Sequence, residues 1–383
     1  MKNATAVCGL GITDMGRVYR SAQDLAIEAV HLALRDAGLD KGDLDGLLIN
    51  SGVSPTVDLQ LHHALGLQDL NVLTYMQGYG SSAGQMIEYA AMAVHNGLAD
   101  HVCCVFADSP LQENKRIGAS YSNRKGRNPI TALMGLYGFA GANAMYALGA
   151  QRHMDLFGTT QEQFGQVAIS QREWAGMNER ATKREPLDMD AYHASPWVVE
   201  PFHVLDCCLV SNGGVAVIVT TAERARDLKQ PPAYLRGFAQ GHHHDTGSTN
   251  VDPLVRGPGE KIAAKALAMA DAKISDVTQC QLYDCYTYTV LETLEDYGFC
   301  QKGEGGPFVQ DGKLGPGGSL PTNTGGGSLS SYYMWGMTPV SEGIIQARGQ
   351  GGERQAPNDL VLVTGNGGIL NYQAALLLSP EAA

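Results

Sequence analysis

The strongest constraint on this chain is that it repeats itself. Ala33, Leu34, Ala37 and Asp43 recur as Ala266, Leu267, Ala270 and Asp276, each pair separated by 233 residues. In both places a helical pattern runs through a polar turn into an apolar strand, Leu47–Ile49 in the first copy and Cys280–Tyr283 in the second. Identities in the same order within the same pattern point to an internal duplication.

The elements around the repeat are legible. Ala6–Ile12 has the character of a strand. Leu25, Ala26, Ala29, Val30, Ala33, Leu34 and Ala37 recur at helical spacing, and Gly38 stands where a helix would end. Asp45–Asn50 and His101–Ala107 read as buried strands on either side of a Ser81–Asn96 helix closed by Gly97. Asp359–Thr364 is the late counterpart of the Asp100–Ala107 strand. Strand, helix and strand in alternation predict an α/β fold with a mostly parallel, helix-covered sheet. The break at Lys229-Gln230-Pro231-Pro232 divides the chain into an N-terminal half, 1–230, and a C-terminal half, 231–383. Residues of about 108–200 read as a polar, irregular insertion in the first half, and Gly303–Gly327 as a loop that brings backbone close to a ligand.

Composition removes several function classes. With 27 Lys+Arg against 39 Asp+Glu, the net charge of -12 argues against a nucleic-acid partner. No apolar run approaches a membrane span, and the first residues lack a signal-peptide core, so the chain is expected to be cytoplasmic. Its eight cysteines sit mostly in apolar runs and demand no oxidising compartment. Only 17% of the residues are charged, which suits a surface partly covered by another subunit.

Familiar catalytic patterns fit poorly. Gly80-Ser81-Ser82-Ala83-Gly84 has the form of a serine-hydrolase elbow. That chemistry needs a late histidine, yet the last one is His244. Ser82 serves equally well as a residue bonding free N–H groups at a helix start. The glycines from Gly9 to Gly16 miss dinucleotide-loop spacing. His242-His243-His244 cannot all face one metal ion from regular structure. More informative are Leu282-Tyr283-Asp284-Cys285-Tyr286, at the end of a strand where α/β folds gather ligands, and Asn323–Met337, where a glycine loop meets a helix start suited to stabilising negative charge.

These segments carry a family resemblance along essentially the whole chain. The opening strand and helix, the Gly80 helix, Leu205-Asp206-Cys207-Cys208 with Ser211-Asn212-Gly213-Gly214, the Tyr283 segment, Asn323–Met337 and Thr364–Gly368 resemble the thiolase superfamily. The branch is that of the sterol-carrier-protein-x thiolases and lipid-transfer-like proteins. The resemblance implies a five-layered α/β/α/β/α fold of two similar halves, forming a homodimer. The family's nucleophilic cysteine falls on Gly80, its first histidine on Tyr283 and its second on Tyr333, with Tyr332 alongside. Its late cysteine segment resembles Thr364-Gly365-Asn366-Gly367-Gly368, where no thiol remains.

Two histidines replaced by two tyrosines resemble the thiolase-like aldolases of steroid side-chain degradation. That resemblance implies retro-aldol cleavage of a β-hydroxyacyl-CoA, with Tyr283 and Tyr333 as the proton-transfer groups. It implies substrate and oxyanion contacts at Gly80, Ser81, Asn323 and Gly367, with Gly80 leaving room for a branched β-carbon. No cofactor is expected in this chain, CoA being part of the substrate. A small partner subunit with an OB fold and a zinc ribbon, and a heterotetramer of two copies of each chain, are also implied. Two other readings remain open: an acyltransferase using Ser81 or Ser82 as nucleophile, and a non-catalytic acyl-CoA or sterol binder.

Overall fold

A computed structural model describes residues 4–54, 56–122, 133, 135–139, 141–243, 252 and 254–382. Its strands are β1 (Thr5–Ile12), β2 (Gly46–Ser51), β3 (Val72–Tyr75), β4 (Val102–Asp108), β5 (Trp197–Val199), β6 (Phe202–His203), β7 (Gly213–Thr221), β8 (Ala233–His242), β9 (Gln279–Gln281), β10 (Val361–Gly367) and β11 (Tyr372–Ser379). The longer helices are α1 (Ala22–Ala37), α2 (Ser82–His95), α3 (Ala142–Phe157), α4 (Gln161–Gly176), α5 (Gly259–Ala270), α6 (Thr287–Asp296) and α7 (Met337–Ala347).

Nine strands join in the order β3, β2, β4, β7, β1, β8, β11, β10, β9, while β5 and β6 form a separate hairpin. The order is a mirror about the β1–β8 seam. Outward from β1, the chain pairs antiparallel with β7, antiparallel again with β4, then parallel with β2. Outward from β8 the same sequence of pairings runs through β11, β10 and β9. The seam itself is short, matching Ala6 with Tyr234 and Val7 with Ala233.

The duplicated sequence folds into duplicated detail. Gly38 ends α1 in the left-handed conformation (φ 76°), as Asp271 ends α5 (φ 51°). The Asp40 N–H donates to the Asp43 carboxylate at 2.8 Å, and the Lys273 N–H donates to Asp276 at the same distance. Each half also has a strand glycine under its outer helix. A Cβ on Gly9 would stand 2.6 Å from the Ala33 carbonyl oxygen, and one on Gly237 would stand 2.2 Å from that of Ala266. Only glycine lets helix and strand approach so closely.

The helices complete five layers. α1 buries Leu25, Ala26, Ala29, Val30, Ala33, Leu34 and Ala37 on the outer face of the first half, its start capped by Ser21, whose side chain accepts the Asp24 N–H. α5 covers the matching face of the second half, and α2 and α7 lie between the halves, touching strands of both. The apolar face of α2 (Met86, Ile87, Ala90, Ala91, Ala93, Val94) is buried in the larger of the two cores.

Two expectations change. The sheet is mixed rather than mostly parallel, because β7, β8 and β11 enter it antiparallel, by connections other than the βαβ crossovers seen in the sequence. The stretch from about 108 to 200 is largely helical where described. α4 opens with a capping box between Thr160 and Gln163, a helix-start signal that the polar composition hid.

Candidate active site

The site begins where β9 stops. After Gln281 the Leu282 N–H is taken by Asn323 Oδ1 at 2.6 Å, so the chain leaves the sheet with its direction fixed. Tyr283 is then held at both backbone ends. Its N–H donates to Thr364 Oγ1 at 3.2 Å, and its carbonyl accepts from Thr289 Oγ1 at 3.1 Å. Tyr333 arrives from the other direction, after the wide turn Gly327–Ser331, and its N–H donates to Ser211 Oγ at 3.1 Å. The two phenol oxygens meet at 2.8 Å, with ring centroids 6.3 Å apart and planes inclined at 52°. Tyr283 is buried, whereas Tyr333 as a residue is half-buried.

Tyr332, the neighbour with an equal claim by residue type, turns elsewhere. Its hydroxyl lies 2.6 Å from Ser341 Oγ in the core.

Gly80 faces the Tyr283 ring. A Cβ built on it would stand 2.3 Å from Tyr283 Cζ, 2.5 Å from Cε2 and 2.3 Å from the Asn366 carbonyl oxygen. The volume a cysteine side chain would need is therefore occupied by the phenol. This corrects the expectation that Gly80 leaves room for a branched β-carbon. Gly336, Gly365 and Gly367 press backbone around the same turn, where Cβ atoms would meet Gly80 O at 2.1 Å, Gly80 O at 2.6 Å and Gly78 O at 2.4 Å.

The other expected site residues are placed as follows. Ser81 Oγ donates to the Gly78 carbonyl at 2.7 Å and accepts from Gln85 Nε2 at 2.9 Å, so it is committed to the start of α2. Ser82 Oγ accepts the Gly78 N–H at 2.7 Å, the helix-start role. Asn323 adjoins the pair through Leu282, and its side-chain amide nitrogen is buried without a partner. Gly367 lies in the β10–β11 ladder opposite Tyr372. His242 ends β8, while His244 lies outside the described residues. Among the described residues, no cluster of three or more His, Cys, Asp or Glu could hold a metal ion.

Several neighbours escaped the sequence reading. Cys208 and Cys285 both lie close enough to oppose ionisation of the two phenols. Tyr146 donates to Asn366 Oδ1 at 3.0 Å, and Asn366 Nδ2 reaches toward the Tyr283 carbonyl at 3.5 Å. Tyr286, stacked on Phe202 at 4.9 Å, donates to Asn143. The Asp206-Cys207-Cys208 and Ser211 segment was visible as a motif, but only the fold brings it beside Tyr333.

Burial is the first cause holding both phenols well above their ordinary value of 10.0. For Tyr283 the thiols of Cys285 and Cys208 add to it, and the bond from Tyr333 opposes it. For Tyr333 the Tyr283 phenol adds most after burial, then Cys208, Cys285 and Tyr121. Both are neutral through the physiological range. The thiols are neutral too, Cys285 being pushed by burial to about 12. A thiolate nucleophile is therefore not provided here.

Two matching halves around a central helical layer define a thiolase-like fold, and the hydrogen-bonded phenols fill the space that a side chain at position 80 would need. The chain belongs to the thiolase superfamily, in its branch of thiolase-like aldolases. Residues 239–380 match the thiolase C-terminal domain-like family. The steroid side-chain-cleaving aldolase of Thermomonospora curvata is 34% identical, over 96% of this chain and 96% of that protein. The 17-hydroxy-3-oxo-4-pregnene-20-carboxyl-CoA lyase of Mycobacterium tuberculosis is 34% identical, over 96% of this chain and 98% of its own length. Among solved structures, the Ltp2-ChsH2(DUF35) aldolase superposes with a TM-score of 0.87 at 33% identity, covering 99% of this chain and 98% of that one.

Proposed function

We propose that this enzyme is a lyase that cleaves a β-hydroxyacyl-CoA by retro-aldol chemistry, using Tyr283 and Tyr333 as one proton relay. The observation that carries the reading is the 2.8 Å contact between the two phenol oxygens. The α–β carbon bond breaks, its electron pair passes to the α-carbon as the thioester enolate, and the β-carbon leaves as a ketone or aldehyde. The β-hydroxyl proton moves onto one phenol, that phenol's own proton crosses to the other, and the second phenol's proton reaches the α-carbon. Both tyrosines end neutral, as they began, which suits groups whose ionisation is opposed by burial. Tyr333 is the more exposed residue of the two, which supports a place for it nearer the substrate.

The backbone at Gly80 adjoins the pair and is the expected place for the thioester oxygen. Ser81, Asn323 and Gly367 support it by fixing the turn and the Tyr283 segment. The relatives' names point to a steroid side-chain CoA thioester as substrate. The similar aldolase is named for two components, Ltp2 and ChsH2(DUF35), which supports a separate partner subunit for this chain too. For that partner we propose an OB fold with a zinc ribbon, any zinc being held there. For this chain we propose a homodimer within a heterotetramer. β3 lies at the sheet edge with Leu73 and Tyr75 exposed, a strand that invites pairing. We place the division between the halves at residue 230, just before β8. No helix among the described residues is long and apolar enough to cross a membrane. The free thiols of all eight cysteines favour a reducing compartment, the cytoplasm.

The test is turnover of β-hydroxyacyl-CoAs by the chain co-expressed with its partner, with products identified by mass spectrometry. Replacing both Tyr283 and Tyr333 by Phe is expected to abolish cleavage. Undiminished cleavage by that double variant would sink the relay, and an acylated Ser81 or Ser82 peptide would establish acyl transfer instead. Tight binding without turnover would mark a non-catalytic binder.

A further inference from the structure

Asp284 follows Tyr283 directly in the segment that leaves β9, and its side chain turns to the backbone of the Gly327–Ser331 turn rather than to the phenol oxygens. The carboxylate is fully buried and bound to backbone. The Ser328 N–H donates to Oδ1 at 2.9 Å and to Oδ2 at 2.8 Å, and the Leu329 N–H donates to Oδ2 at 3.2 Å. Those amides belong to the Gly327–Ser331 turn, which ends two residues before Tyr333. Gly327 is shaped around the contact. It adopts φ +58°, and a Cβ there would stand 2.2 Å from Asp284 Oδ2 and 2.6 Å from Gln171 Oε1.

The geometry points to Asp284 as a positioning residue that sets the distance between the two phenols, tying the residue beside Tyr283 to the turn that delivers Tyr333. It touches neither hydroxyl and acts only through the backbone. This inference rests on the relay reading of the site and adds to it a single fastener shared by both tyrosines. An amide in its place offers one acceptor oxygen and turns an NH2 group toward the turn's N–H groups. The turn then relaxes, and the phenols drift apart.

The experiment compares Asp284→Asn and Gly327→Ala with Tyr283→Phe, each co-purified with the partner subunit. For the first two, kcat is expected to fall about 10- to 100-fold, the effect of roughly 1 Å of misplacement, with KM for the acyl-CoA within about twofold. Alkaline ultraviolet titration is expected to show a phenol ionising at lower pH than in the wild type, a signature that simple loosening elsewhere would not give. Should Asp284→Asn fail to fold, Gly327→Ala, which keeps the carboxylate but displaces it, decides. Wild-type kcat in either variant, or a loss confined to KM, would overturn the inference. If Tyr283→Phe is inactive while Asp284→Asn is unimpaired, only the positioning role falls. If Tyr283→Phe turns over normally, the relay itself falls.

Discussion

Gly80 and Tyr283 exclude one another's side chains: any Cβ at position 80 would lie 2.3 Å from the Tyr283 ring, inside van der Waals contact. The consequence can be tested from both sides. Gly80→Ala should force the ring or the turn to move, with overpacking costing about 1–3 kcal/mol and with lowered cleavage. Gly80→Cys, which restores the family's nucleophile, should be worse for cleavage and gain no acyl-enzyme, because the histidine partners are missing. Intact-protein mass spectrometry after incubation with acyl-CoA, alongside kcat, checks both. A fully active Gly80→Cys enzyme would contradict the packing argument.

A relay between neutral phenols predicts a particular pH profile. Both tyrosines are held well above 10.0, so kcat should show no limb from their ionisation below that pH. A sigmoidal rise that disappears in Tyr283→Phe or Tyr333→Phe would instead identify a tyrosinate base.

Stability should depend on pH through two buried carboxyls. Burial raises Asp284 to about 7 and Asp206 to about 6, both from 3.8, against the hydrogen bonds that favour their charged forms. The folded chain thus holds these protons more tightly than the unfolded one. The stability they contribute is complete below pH 3.8 and is lost as pH rises through about 6 for Asp206 and about 7 for Asp284. Urea denaturation across that window should show a shallower decline in Asp206→Asn than in the wild type. An unchanged slope would place the titration elsewhere.

The exposed edge at β3 bears on assembly. Leu73→Lys puts a charge on the strand proposed to meet its copy, and edge lysines oppose such pairing. Sedimentation is expected to show a shift toward the monomer of this chain. An unaltered assembly mass would move the homodimer contact to another face.

The duplication was readable because its signals are local. A helical stripe, a left-handed cap and an aspartate five residues further on recur at fixed spacing, and each half needs them for its own packing. β7 and β11 were harder, since a continuous apolar run gives no strand direction. Tyr283 and Tyr333 could be matched by family resemblance, yet only the fold separates Tyr333 from Tyr332, because Ser341 claims the latter. The Gly80 turn, Cys208, Ser211 and Asn366 converge on the pair from distant parts of the chain, and no periodicity encodes that meeting. Asn323 illustrates the limit. Its position beside the site was legible, but its bond to the Leu282 N–H arises from a left-handed backbone (φ 53°) that residue type alone does not declare.

The close fit at the start of α2 also limits what a single substitution can achieve. A cysteine at position 80 and a phenol at position 283 in this pose claim the same space, so the two cannot stand together unless the ring or the turn moves. Installing sulfur chemistry in this chain therefore demands coordinated change at both ends of the contact.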